Sequence, residues 1–314
     1  MKKKSIKSTR ICPVCHSQIT TLFYKKNRLV PTESFTPSSS DFGIFYDLYR
    51  CDACHTVFVS ERLPEHVTAK LYECSQHDGY MLEQGNRRRN FRRLVKVIAQ
   101  YLGSSEKKSL LDIGASAGVF LDTVREAFPH WDLSGVEPST DAVKKCEDIF
   151  HIKLQQGVFE ETEIEHEKYD VITMLDLIEH VHNPSRVIEA AYRCLKPGGL
   201  MLITTPNIQS WTARFFRRRW WSFRLMHTLY FSPLSIRQML AKEGFRVVKM
   251  RGLIRLFSLR YCLRHLGWTI RGPSVVIPFP LSLGDMLVIA RKETTVSSAG
   301  ETKEEQIKQE PLLD

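Results

Sequence analysis

Apolar positions along the chain fall into short continuous runs separated by stretches of helical spacing. That pattern predicts strands covered on both faces by helices. Leu110, Leu111 and Ile113 form one such run, and Val119, Phe120, Val124 and Phe128 recur at helical spacing just after it. Residues 131–136 form a second run, which ends at Glu137. Residues 167–176, EKYDVITMLD, pass from polar to apolar and close on an acid, so a third buried strand is expected there. A loop follows over 177–183, and Pro184 opens a helix running to about residue 195. Lys196-Pro197-Gly198-Gly199 is a turn signal, residues 200–205 read as a strand, and a connecting helix is expected at about 86–102. Strands alternating with helices place the chain in the α/β class.

The first strand, turn and helix carry candidate chemistry. Gly114 and Gly118 bracket a turn whose backbone can approach a ligand closely, because neither has a Cβ. The helix that begins there would point its N–H groups at the ligand. An acid in the place of Glu137 can accept hydrogen bonds from both hydroxyls of a ribose, so the unit reads as a nucleoside cradle. One alternative competes. Gly114-Ala115-Ser116-Ala117-Gly118 also matches G-x-S-x-G, the elbow that presents a nucleophilic serine in α/β-hydrolases, and Asp176 and His227 follow in the required chain order. That reading leaves Asp112 and Glu137 without a role, and no HGGG stretch lies upstream.

Five ordered stretches, LLDIGASAGVFL, SGVEPS, YDVITMLDLIEHVHNP, LKPGGLMLITTPN and HTLYFSPLSIRQMLAKEGF, resemble the class I S-adenosylmethionine-dependent methyltransferases. Within that family they are most similar to the ubiquinone-type and sugar methyltransferases. The resemblance covers about residues 94–292. It implies a Rossmann-like seven-stranded sheet with helices on both faces, and S-adenosylmethionine as cofactor. Carried over, it implies that Gly114, Ser116 and Gly118 line the methionine end, with Asp112 near the amino group. Glu137 and Pro138 would meet the ribose, and Asp176 and Leu177 would close the methionine side. Val158 and Phe159 would lie against adenine. Two positions depart from the family pattern: Ser116 replaces a glycine, and Gly157-Val158-Phe159 replaces the usual Gly-Asp step, leaving Phe159 or Glu160 for the adenine.

Cysteine spacing adds a second module. Cys12-Pro-Val-Cys15 and Cys51-Asp-Ala-Cys54 are two C-x-x-C knuckles, which together supply four thiolates for a structural zinc. A similar zinc ribbon precedes several sugar C-methyltransferases. Cys74, Cys146, Cys194 and Cys262 are isolated and read as small core residues, so a reducing, cytoplasmic setting is expected. The expected layout is a zinc-ribbon-like module over 1–62, a connecting helical segment over 63–105, the methyltransferase domain over 106–292 and a disordered tail over 293–314. The 314 residues are 43% hydrophobic, without a secretory signal or a run long enough for a membrane span.

Charge is uneven. Residues 211–272 hold fourteen Lys and Arg against the single acid Glu243, a local balance of +13 that exceeds the +10 of the whole chain. A basic lid over 211–272 is therefore expected, with an anionic partner: a phosphate-bearing small-molecule acceptor, an anionic membrane surface at the inner face, or, less favoured, nucleic acid. Residues 253–268 are basic and apolar, but form a poor amphipathic stripe.

Methyl transfer to a hydroxyl or enolisable carbon needs positioning and a base. His180 is the first candidate, with His182, His227 and Tyr230 behind it, and a structural role for His180 is the competing reading. Asp176, Glu179 and His180 would also suit a magnesium-like ion, as in the resembling quinone O-methyltransferases; this is the weaker reading, because Glu179 can equally face solvent. The expected activity is methylation of a small-molecule acceptor such as a nucleotide-linked or lipid-linked glycan precursor. RNA methylation is the alternative, and a hydrolase built on Ser116 is a distant one.

Overall fold

The computed structural model describes residues 7, 8, 10–26, 43–258 and 278–293. Four short strands come first: β1 (Lys7–Ser8), β2 (Thr20–Tyr24), β3 (Leu48–Cys51) and β4 (Val57–Val59). Helices α1 (Glu65–Glu73), α2 (Asp78–Leu82) and α3 (Gln84–Leu102) lead into alternating elements: β5 (Ser109–Ile113), α4 (Val119–Ala127), β6 (Asp132–Glu137), α5 (Thr140–Phe150) and β7 (Gln155–Gln156). The alternation continues through β8 (Tyr169–Leu175), α6 (Pro184–Cys194), β9 (Leu195–Pro206) and α7 (Trp211–Phe216). Last come β10 (Leu229–Tyr230), α8 (Pro233–Lys242), β11 (Phe245–Gly252), β12 (Arg255–Ser258), β13 (Pro278–Leu281) and β14 (Asp285–Lys292).

The central sheet has seven strands in the order β7–β6–β5–β8–β9–β14–β11. Strands β5 to β9 run parallel, while β14 is antiparallel to both β9 and β11. Alternation along β5 decides which layer each residue joins. Leu111 and Ile113 pack with Val187 and Ile188 of α6 and Ile236 and Leu240 of α8. Leu110 faces the other way, onto Leu94 and Ile98 of α3 and Phe120 of α4. Both faces are thus covered, as the continuous apolar runs require. Helix α6 starts where expected: Asn183 Oδ1 accepts the Arg186 N–H at 3.2 Å, and Pro184 fills the first turn, where its missing N–H costs nothing.

The predicted turn at 196–199 is absorbed into β9. Tyr169 pairs with Leu195, and the register then jumps so that Val171 pairs with Leu200, which loops the proline and glycines out of the ladder. A second, five-stranded sheet has the order β1–β2–β3–β4–β10, so its last strand comes from the far half of the chain. Leu229 pairs with Phe58 and Tyr230 with Val57, both antiparallel. Cys12, Cys51 and Cys54 share one apolar cluster with Leu229, Phe231 and Ile236, and the Ser232 hydroxyl donates to the Cys54 carbonyl at 3.3 Å.

Two expectations need correction. The stretch 211–272 is not a single lid: α8 is part of the core layer, β11 is an edge strand of the main sheet, and residues 259–272 lie outside the described residues. Of the isolated cysteines, Cys146 and Cys194 are buried as expected, but Cys74 is exposed at the end of α1. Cys262 and residues 294–314, nearly all of the expected tail, lie outside the described residues. Gly118 has φ +78° and caps α4, and a Cβ there would sit 2.2 Å from Cys146 Sγ. Gly118→Ala should therefore lower unfolding free energy by about 1–3 kcal/mol in denaturant titration. Adding Cys146→Ala should recover part of the loss, leaving the backbone strain.

Candidate functional site

A cavity of about 780 Å³ opens where β5, β6 and β8 end, lined by Gly114, Glu137 and Asp176 from the turns that follow those strands. The Val136 carbonyl accepts the N–H groups of Gly114 and Ala115 at 2.9 and 3.1 Å, which locks the first turn onto β6. Glu137 is buried, and its two carboxylate oxygens accept the Ser116 N–H at 2.8 Å and the Ser139 N–H at 3.0 Å. Burial pushes its pKa up while those two bonds pull it down. Each oxygen keeps a second lone pair for another donor. Asp112 is also buried and pushed up to about 7 by desolvation, although Thr173 donates to it at 2.6 Å.

Ser116 has φ +49°, and its buried hydroxyl has no hydrogen-bond partner among the described residues. Gly114, at φ +74°, is overlaid by Leu177, whose Cδ1 would lie 2.9 Å from an added Cβ. These features fit a nucleoside-bearing cofactor: an orphaned donor, a side-chain-free approach and a carboxylate with spare acceptor capacity. Pro138, Val158 and Phe159 line the same cavity, as do Glu160 and Leu177. Gly118 is not part of that lining, and a Cβ there would meet Cys146. The hydrolase reading fails here, since Ser116 has no base within hydrogen-bond reach among the described residues and Asp176 is engaged elsewhere.

The covering wall is one that the sequence did not announce. It comes from α1, α2 and the start of α3, through Tyr72, His77, Tyr80 and Arg87. His77 donates its backbone N–H to Asp141 at 2.7 Å, and the Ser139 hydroxyl donates to the Ser75 carbonyl at 2.9 Å, which ties this wall to the start of α5. Arg87 lies 3.8 Å over the Tyr80 ring, and its buried Nε has no hydrogen-bond partner among the described residues. One readable signal existed: Asn86 and Asn90 occupy the helical stripe continued by Leu94 and Ile98, so polar groups interrupt a buried face.

On the opposite side, the loop after β8 is held tightly. Asp176 has φ +58°, and Arg255 grips both its oxygens at 2.6 and 2.5 Å while reaching Asp285 at 3.3 Å through Nε. Glu179 is buried rather than solvent-facing; Thr205 donates to its carboxylate at 3.0 Å, and burial raises its pKa well above the usual range. The Glu179 carbonyl accepts the N–H groups of Thr228 and Leu229, joining the loop to β10. His180 Nδ1 lies 3.1 Å from the Met226 carbonyl and 3.0 Å from the Tyr72 hydroxyl. A carbonyl only accepts, so Nδ1 carries the proton and Nε2 keeps the lone pair. Burial first, and the nearby Arg224 second, push His180 down to about 4.

The other candidates separate. His227 packs edge-on against His180 with ring centres 4.6 Å apart, lines the cavity and leaves a buried Nδ1 without a hydrogen-bond partner among the described residues. His182 lines the cavity too, but its Nε2 is spent on the Leu63 carbonyl at 2.8 Å. Tyr230 does not line the cavity; it is fully buried against Phe45, Leu48 and Trp220. The magnesium reading does not fit, because Arg255 occupies Asp176. The groups that do converge, Glu179, His180 and His227, offer one carboxylate and two imidazoles, whereas magnesium prefers an oxygen shell.

At the N-terminal knuckles, Cys12 Sγ lies 3.7 Å from Cys54 Sγ and Cys15 Sγ lies 3.4 Å from Cys51 Sγ. Four sulfurs about 2.3 Å from a tetrahedral zinc stand about 3.8 Å apart, so the spacing fits that ion. The hydrogen bond to Cys54, and then burial, push the Cys12 thiol up, so four thiolates there require a cation.

A family model for a methyltransferase domain matches residues 84–250, just over half of the chain. The chain belongs to this methyltransferase-domain family. Ubiquinone biosynthesis O-methyltransferases of Hydrogenovibrio crunogenus and Klebsiella pneumoniae are similar to it, at 26% identity over 126 residues and 32% over 114. These matches take in 36% and 35% of this chain and 48% and 47% of the relatives, so the chain spans about half the length of the curated relatives it matches. A SAM-dependent methyltransferase of Thermotoga maritima shares the fold at TM-score 0.50 and 17% identity, covering 73% of this chain and 99% of that one. A structure of the Haloferax volcanii Trm112 methyltransferase activator in complex with a methyltransferase matches at 0.51 and 15%, covering 75% and 100%. The expected class I fold, with its seven strands and two helical layers, is thereby borne out.

Proposed function

We propose that this methyltransferase moves a methyl group from S-adenosylmethionine to a hydroxyl oxygen of a small-molecule acceptor, with His180 Nε2 taking the proton. The observation that carries this reading is the fixed tautomer of His180 in the wall of the cavity that also holds Glu137. When bound, S-adenosylmethionine supplies an electrophilic methyl on a sulfonium, open to in-line attack. Glu137 would accept the ribose hydroxyls, Asp112 would face the ammonium and Arg87 the carboxylate of the methionine end. Leu177 closes over Gly114 and excludes water from that end.

His180 at about 4 is neutral at physiological pH, hence competent to accept a proton, yet it is a weak base. Such a base matches a phenol-type hydroxyl, with a pKa of about 10, far better than an aliphatic sugar hydroxyl close to the ~15.7 of water. Arg224 lines the cavity near His180 and supports an acceptor that carries or develops negative charge. The names of the relatives, from ubiquinone biosynthesis, point to oxygen as well, and away from the glycan precursor that the sequence suggested. The zinc-ribbon segment is assigned one structural zinc on Cys12, Cys15, Cys51 and Cys54, with no open position for catalysis.

Calorimetry should show S-adenosylhomocysteine binding that Glu137→Ala weakens on the order of ten- to a hundredfold, as loss of charge-assisted hydrogen bonds predicts. Affinity should fall as pH drops below about 7, where Asp112 gains a proton, and Asp112→Asn should flatten that dependence. Absence of binding to the wild-type chain would sink the reading. His180→Ala should lower kcat on the order of 10²–10⁴-fold while leaving cofactor affinity in place. The wild-type kcat should hold from pH 8 to 5 and fall towards 4, as His180 becomes protonated. Elemental analysis should find one zinc per chain, lost in Cys12→Ser/Cys54→Ser; a metal-free, folded wild-type chain would refute the zinc assignment.

A further inference from the structure

Helix α7 reverses the usual arrangement of a surface helix. Its inward residues are Thr212 and Ala213, both buried, whereas Trp211, Phe215 and Phe216 are 63%, 74% and 38% exposed. The seating is firm. Ser210 accepts the Ala213 N–H at 3.2 Å, and Thr212 Oγ1 donates to the Leu283 carbonyl at 3.1 Å. Gly284 runs so close beneath that a Cβ would lie 2.2 Å from Thr212 Oγ1 and 2.5 Å from Ser210 Oγ. The floor under α7 admits only small side chains, and the aromatic ones are held outward.

Charge completes the face. Arg214, Arg217, Arg218 and Arg219 are exposed on the helix and the turn that follows, and no Asp or Glu occurs anywhere in residues 190–242. Arg218 gives one N–H to the Lys25 carbonyl at 2.7 Å. Its neighbours Arg217 and Arg219 belong to the same exposed turn.

We propose that α7 and the 217–219 turn dock on the surface of an anionic lipid bilayer, with Trp211, Phe215 and Phe216 at the headgroup boundary and the arginines on lipid phosphates. Rings of this size held outward gain free energy by leaving water, and arginines flanking them add attraction to anionic headgroups. The ring geometry favours lipid over nucleic acid. Phe215 and Phe216 stand 5.0 Å apart at 81°, which gives no parallel platform for stacked bases, while a bilayer needs only apolar area. Phe216 also meets Trp221 at 5.0 Å, and Trp221 lines the large cavity, so the docked face adjoins the wall of the site. This inference stands apart from the methyl-transfer reading, because it rests on the outer surface alone.

The full-length chain should co-sediment with vesicles of phosphatidylcholine mixed with phosphatidylglycerol, and be released by salt or by omitting the anionic lipid. Arg217→Ser and Arg219→Ser should each weaken partitioning by roughly fivefold. Trp211→Ser/Phe215→Ser should abolish it, while circular dichroism melting stays at the wild-type temperature. Brominated lipids should quench a fluorescence component that disappears in Trp211→Phe. Failure of the wild-type chain to bind anionic vesicles would overturn the proposal. So would an aromatic double variant that sediments like wild type, or salt-sensitive binding to single-stranded RNA without vesicle binding.

Discussion

Arg255 holds its guanidinium between Asp176 and Asp285 in a part-buried ion-pair network. That constraint anchors the loop that follows β8 in the cavity wall. Asp176 stands at the end of β8 in a left-handed conformation, which aspartate tolerates better than most residues, and Thr204 and Arg255 both bond its carboxylate there. With the first residue of the loop pinned, Glu179 turns inward to Thr205, and His180 comes within reach of the Met226 carbonyl and Tyr72. The tautomer proposed for His180 thus depends on a loop that the ion pair anchors at its first residue.

The second anchor of the loop lies in β10. Its N–H at Leu229 bonds the Glu179 carbonyl, and its ladder partner is β4 of the cysteine-bearing sheet. The four-cysteine cluster and the base candidate are therefore connected through two residues of strand. Ser232 continues the link by bonding the Cys54 carbonyl while capping α8, where it accepts the Ser235 N–H at 3.0 Å. The cysteine-bearing sheet thus buttresses the loop that carries His180 from outside, since the cavity lining begins only at Glu65.

What the sequence disclosed and what it withheld follow from the range of each interaction. The strands at 109–113, 132–137 and 169–175 were readable because burial on both faces leaves an uninterrupted apolar run, and Gly114 and Glu137 because a local turn chemistry requires them. The ion pair of Arg255 with Asp176 spans 79 positions, and no local pattern distinguishes that arginine from its exposed neighbours. Tyr230 is a candidate in sequence because it shares with His227 a segment expected to cover the site, yet it packs into the core. Gly118 reads in sequence as a ligand contact, whereas the structure shows at that position a packing demand from Cys146 that no local pattern reveals. The cover from α1 and α2 was least visible, since weakly patterned helices acquire their inward face only when the cavity exists.

The pairing of β4 with β10 also has a consequence for biosynthesis. About 170 residues separate the two strands, so at ~5–20 residues per second the ribosome delivers β10 roughly 10–30 seconds after β4. Through that interval the nascent chain displays an unsatisfied strand edge beside a set of reactive thiols. Early capture of metal by the four cysteines would hold that edge in a defined shape until its partner emerges, and would keep the thiols from oxidation in the meantime.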